Sequence, residues 1–314
     1  MSQSSNVISA RSLTKRYGSR RGVDALDLDV ERGTLFGFLG PNGAGKSTTI
    51  RMLTGFLPPT SGSASVFGLD CWTESARIKT DVGYLPGDVR LYSWMTAESA
   101  LRIVGRIRKR DLRKPGADLC ERFRLDPLVK VSQMSRGTRQ KLGLVIALAH
   151  DPALLVLDEP TSGLDPLIQE ELANVLRDRA ARGDTVFFSS HTLSEVESLC
   201  DQIAIVRDGR IVVDEPLSTM RARARRAVVL RCERAEDAAE VRVPTALRVL
   251  DRAGKRLRCE MEGDDVRAIA AWVAQQPVED FSISPPDLEG MFRGYYVAAE
   301  PAAAGGNSAP ESGS

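Results

Sequence analysis

Eight consecutive residues, Gly40-Pro41-Asn42-Gly43-Ala44-Gly45-Lys46-Ser47, constrain this chain more than any other stretch of it. They fit G-x-x-x-x-G-K-[ST] at every fixed position. Glycines let the backbone curl so that successive N–H groups converge on one anion. Lys46 adds a point charge for the outer phosphates of a nucleotide, and Ser47 offers a hydroxyl to Mg2+. Such a loop requires a strand before it and a helix after it. Residues 34–39, an apolar run between Gly33 and Gly40, read as a short buried strand. From Thr48 onward the sequence reads as a helix, whose N-terminal dipole favours an anion.

A second segment supports the first. Leu154-Leu155-Val156-Leu157 is a buried strand that ends in Asp158-Glu159. Two carboxylates then stand at the C-terminal edge of a sheet, where open α/β sheets bind ligands. Asp158 suits Mg2+, held through water, and Glu159 suits a general base that polarises an attacking water. Strands at 153–157 and 185–189 alternate with helical stretches, which predicts a largely parallel α/β sheet. Leu26, Leu28 and Val30 alternate with Asp27 and Asp29 as a half-buried strand, and residues 203–213 form a hairpin around Asp208-Gly209.

Between the two carboxylate-bearing and phosphate-binding segments the texture turns helical. Residues 96–108 and 117–123 are helix-prone, separated by the breaker Pro115-Gly116, and 135–149 carries an apolar helical face. After residue 220 the pattern becomes short strands plus a helix at 264–275, read as a small α+β domain. The basic run Arg221 to Arg226 reads as a solvated linker or helix end. Residues 299–314, rich in Ala, Gly, Ser and Pro, read as a disordered tail.

Composition removes several function classes. The 43 basic and 42 acidic residues leave a net charge of +1, so no nucleic acid is expected as partner. Cys71, Cys120, Cys200, Cys232 and Cys259 form no C-x-x-C pair and read as reduced thiols. The longest clean apolar run, residues 142–149, is far short of the roughly 20 that a membrane span needs. The first residues lack the basic and apolar stretches of a signal peptide.

With these segments in these places, the chain resembles the nucleotide-binding subunits of ABC transporters. Four further motifs carry the resemblance. Met134-Ser135-Arg136-Gly137-Thr138-Arg139-Gln140 resembles the signature segment, which implies that Ser135, Arg136 and Gly137 meet the γ-phosphate of ATP held by a second copy. Arg136 stands where the commonest version has glycine; a cation there opposes the helix dipole unless an anion docks beside it. Ser162-Gly163-Leu164-Asp165 resembles the loop that crosses the dimer interface, which places Asp165 in the same group. Ser190-His191-Thr192 resembles the switch histidine, so His191 would hydrogen-bond the γ-phosphate. Tyr17 in Leu13-Thr14-Lys15-Arg16-Tyr17-Gly18 matches the aromatic that stacks on adenine. The other histidine, His150, reads as a surface residue.

The resemblance implies an α/β fold: an ABC-type P-loop NTPase core over residues 1–220, with an antiparallel N-terminal sheet and a helical insert at about residues 88–150. The small α+β domain covers 221–298. It implies Gly40 through Thr48 and Tyr17 as the ATP contacts, Lys46, Glu159 and His191 as the catalytic set, and Ser47 and Asp158 toward Mg2+. It implies a second copy of the chain in an ATP-sandwiched dimer, an integral membrane permease as partner, and a peripheral place on the cytoplasmic face of the cell membrane. One position departs from the pattern. After Val82-Gly83-Tyr84-Leu85-Pro86 the family usually has glutamine, and here stands Gly87, followed by Asp88, the candidate substitute at the metal. The 84–92 stretch and the ending at 284–296 resemble bacterial drug and antibiotic exporters. Two non-transport classes stay as alternatives, ABC ATPases of DNA maintenance and of translation. The first carries long coiled coils between its nucleotide motifs, and the second carries two cassettes per chain.

Overall fold

The computed structural model describes residues 6–223, 225–263, 265–286, 288 and 292. The chain divides into two compact units, Met1–Met220 and Arg221–Ser314.

The first unit holds two sheets. One is antiparallel, in the order β2 (Arg20–Glu31), β1 (Asn6–Tyr17), β4 (Ser61–Val66) and β5 (Leu69–Asp70). The other has six strands in the order β10 (Arg210–Pro216), β9 (Gln202–Arg207), β3 (Leu35–Leu39), β8 (Thr185–Ser190), β7 (Leu154–Asp158) and β6 (Val82–Leu85). All its neighbouring pairs are parallel except the β10–β9 hairpin. Strands β3, β7 and β8 are buried along their full length, as central parallel strands require. Phe36 of β3 stacks on Phe187 of β8 with ring centroids 5.6 Å apart. Helices α1 (Lys46–Leu53), α2 (Ser75–Ile78), α3 (Ala97–Arg108), α4 (Arg113–Arg122), α5 (Arg136–Leu148), α6 (Pro166–Ala181), α7 (Leu193–Leu199) and α8 (Leu217–Arg223) connect the strands. The expected α/β core, antiparallel N-terminal sheet and helical insert are therefore present. Among the described residues no helix is long and apolar enough to cross a membrane.

Two local expectations fail. Pro115 and Gly116 do not separate helices, because α4 runs through them. Pro115 lies in the first turn, where its missing N–H costs nothing. Gly116 is a packing contact: a Cβ there would lie 2.3 Å from Cδ1 of Leu101 on α3. The phosphate-loop helix also starts two residues earlier than read, at Lys46.

His150 is the larger correction. It is buried, 2% exposed, instead of lying on the surface. Its Nε2 lies 3.3 Å from the Val82 carbonyl, and its own carbonyl accepts from Arg110 at 2.7 Å. Burial, reinforced by the Arg108 charge, pushes its pKa from 6.5 down to about 4. Protonation therefore favours the unfolded chain. The stability it contributes is intact above pH 6.5 and is lost as the pH falls toward 4. Between pH 7.5 and pH 5 the native state should lose about 2 kcal/mol through this residue. Urea unfolding at the two pH values should show that loss in the wild type and a correspondingly flatter response in His150→Leu.

The second unit is a four-stranded antiparallel sheet in the order β12 (Leu247–Ala253), β13 (Arg256–Met261), β11 (Arg226–Cys232) and β14 (Val278–Pro286). Helices α9 (Ala235–Glu240) and α10 (Val266–Val273) complete a β-α-β-β-α-β chain of the ferredoxin-like kind. Residues alternate on β13, with Leu257, Cys259 and Met261 buried against Ala238, Ile269 and Val273 of the helices. Sequence reading found α10 but missed α9, whose Ala-Glu-Asp-Ala-Ala-Glu run is too short for a periodic apolar face. All five cysteines are free and buried, and burial pushes the Cys71 thiol up to about 12. The tail at 299–314 lies outside the described residues, and most of the exporter-like ending at 284–296 does too.

Candidate nucleotide site

The loop at 40–47 joins β3 to α1 at the C-terminal edge of the parallel sheet. Gly45 caps α1 with φ 109, a conformation that an L side chain resists, and a Cβ there would lie 2.6 Å from the Gly22 carbonyl. A cavity of about 350 Å3 opens over this loop, lined by Asn42, Gly43, Lys46, Ser47, Thr48, Tyr17 and Glu159. Tyr17, at the end of β1, is 47% exposed there, and the Lys15 ammonium sits 5.9 Å from its ring centre.

Lys46 is buried. Its ammonium donates to the Gly40 carbonyl at 2.6 Å and the Pro41 carbonyl at 3.3 Å. It also lies 3.3 Å from Oε1 of Glu159. The other carboxylate oxygen, Oε2, is 2.6 Å from Nδ1 of His191. Ammonium, carboxylate and imidazole thus form one row beside the loop. Glu159 holds φ 50, a left-handed backbone that ordinarily costs about 1–3 kcal/mol. Its N–H donates to both the carbonyl and the hydroxyl of Ser189, at 3.2 and 3.1 Å. Its carbonyl accepts from Gln140 Nε2 at 3.2 Å.

Asp158 is buried, and a buried carboxylate must find partners. Oδ1 accepts the Ser189 hydroxyl at 2.6 Å. Oδ2 lies on the Gly87 side, where a Cβ would approach it to 3.4 Å. A cavity of about 640 Å3 runs from Ser47 and Asp158 past Gly87 and Asp88 to Arg136 and Ser162. Asp88 is mostly exposed and pairs with Arg90 at 2.7 Å.

The remaining candidates gather as a second group. Ser135 caps α5 by accepting from Thr138 N–H at 3.1 Å. Arg136 reaches the Ser162 hydroxyl at 3.0 Å. A Cβ on Gly137 would lie 2.3 Å from the Gly163 carbonyl, so the start of α5 rests directly on the 162–165 loop. Asp165 caps α6 through the Ile168 N–H at 3.1 Å, and that bond holds its carboxyl below the usual range. Among the described residues no hydrogen bond joins Ser135 or Asp165 to Lys46, Glu159 or His191. Ser135 and Arg136 are exposed.

Ser189, Gln140 and Glu195 were not anticipated. Gln140 left a trace in the sequence, a polar residue on the apolar face of α5. Ser189 and Glu195 left none, because the partners that tie them to the 158–161 segment, Asp158 and Thr161, lie 31 and 34 positions away.

The family model for ABC transporters matches residues 23–162. The chain is 38% identical to the bacitracin transport ATP-binding protein BcrA of Bacillus licheniformis, over 71% of this chain and 74% of that one. It is 36% identical to the probable multidrug ABC transporter ATP-binding protein YbhF of Escherichia coli, over 69% of this chain but only 38% of that longer one. Among solved structures, an ATP-binding subunit of an ABC transporter superposes with a TM-score of 0.65 at 28% identity, covering 69% of this chain and 92% of the other.

Proposed function

Because this chain belongs to the ATP-binding proteins of the ABC transporter family, we propose that its ATPase activity powers export of drug- or antibiotic-like molecules through a separate membrane permease. The observation that carries the catalytic assignment is the row Lys46–Glu159–His191 beside the phosphate loop, at 3.3 and 2.6 Å. The cargo class rests on likeness to the bacitracin and multidrug proteins. The permease and the place on the cytoplasmic face of the membrane follow from the same likeness.

In this reading the phosphates of ATP sit on the N–H groups of residues 40–48, with adenine against Tyr17. Lys46 turns its ammonium from the loop carbonyls to the β- and γ-phosphates. The γ-phosphate therefore competes with Glu159 for Lys46 and frees the carboxylate for the water. Glu159 takes the proton as the water oxygen bonds to the γ-phosphorus. The bond from that phosphorus to the bridging oxygen breaks, and ADP leaves with the electron pair. His191 holds the γ-phosphate in line. Ser47 and Asp158 offer oxygen donors of the kind Mg2+ prefers, which usually takes one or two side chains plus phosphate oxygens. Bound there, the ion would offset the charge that develops on the phosphates. Asp88, which lines the same cavity, is assigned the outer position that Gly87 cannot fill. Ser135, Arg136, Gly137 and Asp165 serve the γ-phosphate of a second copy.

The test is co-expression with a candidate permease, followed by drug transport into inverted vesicles. ATP-dependent uptake that disappears without this chain supports the reading. Transport that proceeds without it sinks the reading. In the same vesicles, Asp88→Ala should raise the Mg2+ concentration needed for half-maximal activity, and an unchanged Mg2+ curve removes Asp88 from the metal site.

A further inference from the structure

We infer that Glu195, on α7, is a positioning residue that sets the Glu159–His191 contact. The inference rests on the catalytic roles proposed above for those two residues. Glu195 is half-buried, and both its oxygens are engaged by hydroxyls. Oε1 accepts from Thr161 at 2.8 Å and Oε2 accepts from Ser190 at 2.6 Å. Thr161 stands two residues after Glu159, and Ser190 directly precedes His191. One carboxylate therefore ties together the two segments that carry the reacting pair. The Ser190 bond, at 2.6 Å, has the length of the stronger, charge-assisted kind.

The Ser190 hydroxyl has a second duty. It accepts from the Thr192 N–H at 2.9 Å and so closes the turn on which His191 sits. Donating to Glu195 fixes that hydroxyl with its lone pair toward Thr192. Without the carboxylate the hydroxyl proton is left only the longer bond to the Thr192 carbonyl, at 3.2 Å, and the turn loses its tie to Thr161. Glu195 also occupies the third position of α7, where a glutamate ordinarily reaches back to the helix-capping N–H. Here Ser190 takes that N–H, and the carboxylate is directed at the neighbouring loops instead. A role confined to stabilising α7 does not account for that choice. On the other side of β8, Ser189 holds Asp158 and the Glu159 N–H. The adjacent serines thus position the two halves of the site from opposite faces.

The experiment compares Glu195→Ala and Glu195→Gln in the full chain, with Glu159→Gln alongside. Displacing a reacting group by about 1 Å can cost on the order of 100-fold in rate. Glu195→Ala should lower kcat by about 10-fold or more while the Kd for ATP stays within about twofold. Glu195→Gln should recover most of the rate, because its amide still accepts from Thr161 and can donate to Ser190. In a His191→Ala background the Glu195→Ala penalty should shrink to below about twofold, since the contact it sets is already gone. An undiminished kcat in Glu195→Ala overturns the inference, and so does an equal penalty with and without His191. If Glu195→Ala does not fold, Thr161→Val, which removes one hydroxyl at constant shape, decides the matter: retained kcat rejects the inference and reduced kcat supports it. Should Glu159→Gln itself keep full turnover, the failure lies with the catalytic assignment and not with Glu195.

Discussion

Glu159→Gln should bind ATP at least as tightly as the wild type and hydrolyse it at less than about one-hundredth of the rate, in line with the usual worth of a general base. The amide keeps the shape of the carboxylate, and the left-handed backbone at this position depends on Ser189 and Gln140, which the substitution leaves alone. Fold and loop geometry should therefore survive. The change is one of charge and proton affinity. An amide cannot take the proton of the attacking water. It also no longer competes as an anion for the Lys46 ammonium, now 3.3 Å from the carboxylate. A γ-phosphate would then meet an ammonium held by the Gly40 and Pro41 carbonyls and by no carboxylate at position 159, so binding strengthens while chemistry stops. Nucleotide titration and phosphate release measure the two halves separately. Gel filtration with ATP should show a persistent dimer, because the nucleotide that closes it is not consumed. A variant with full turnover removes Glu159 from the role of base, and the row with His191 would then be an ordinary ion-pair arrangement.

The parts of this site that were legible in the sequence are those whose chemistry is local. The phosphate loop needs glycines at fixed spacing within eight residues, so its geometry is written in consecutive letters. Asp158 and Glu159 follow an apolar run that can only be a buried strand, and Asp165-Pro166 announces its helix through capping alone. What escaped was set by packing between distant segments. Pro115-Gly116 carries the letters of a breaker, but the helix passes through because Gly116 presses on Leu101 of another helix. His150 carries the letter of a surface residue, yet the carbonyl of Val82, 68 positions away, receives it in the core. Glu195 reads as one more charge on a short helix until Thr161 and Ser190 are brought to its two oxygens. The strand order of the second unit depends on pairings that no local pattern encodes, and so its ferredoxin-like arrangement emerged only in three dimensions.

The second large effect tests whether the site is completed by another copy. Lys46→Ala loses the charge beside the phosphates, and Ser135→Arg places a bulky cation at the exposed start of α5. Each variant alone should fall to below about one-hundredth of wild-type turnover, the scale on which lost phosphate-stabilising groups act. Both should still fold. Loss of the Ser135 cap costs about 1 kcal/mol against a typical stability of 5–15. Mixed together, they should regain activity. In a two-fold pair each site combines the loop of one chain with the Ser135 segment of the other. A mixed pair then holds one site damaged twice and one site intact. With random exchange about half the pairs are mixed, so turnover should return to about one quarter of the wild-type value per chain. The geometry motivates the arrangement because Ser135 and Arg136 form no bond with Lys46, Glu159 or His191 of their own chain among the described residues, yet both are exposed at the start of α5, with the guanidinium on the Ser162 hydroxyl. A helix start beside a guanidinium is suited to an anion. A mixture that stays at the level of its components rejects the shared site, and an active Ser135→Arg chain on its own removes Ser135 from it.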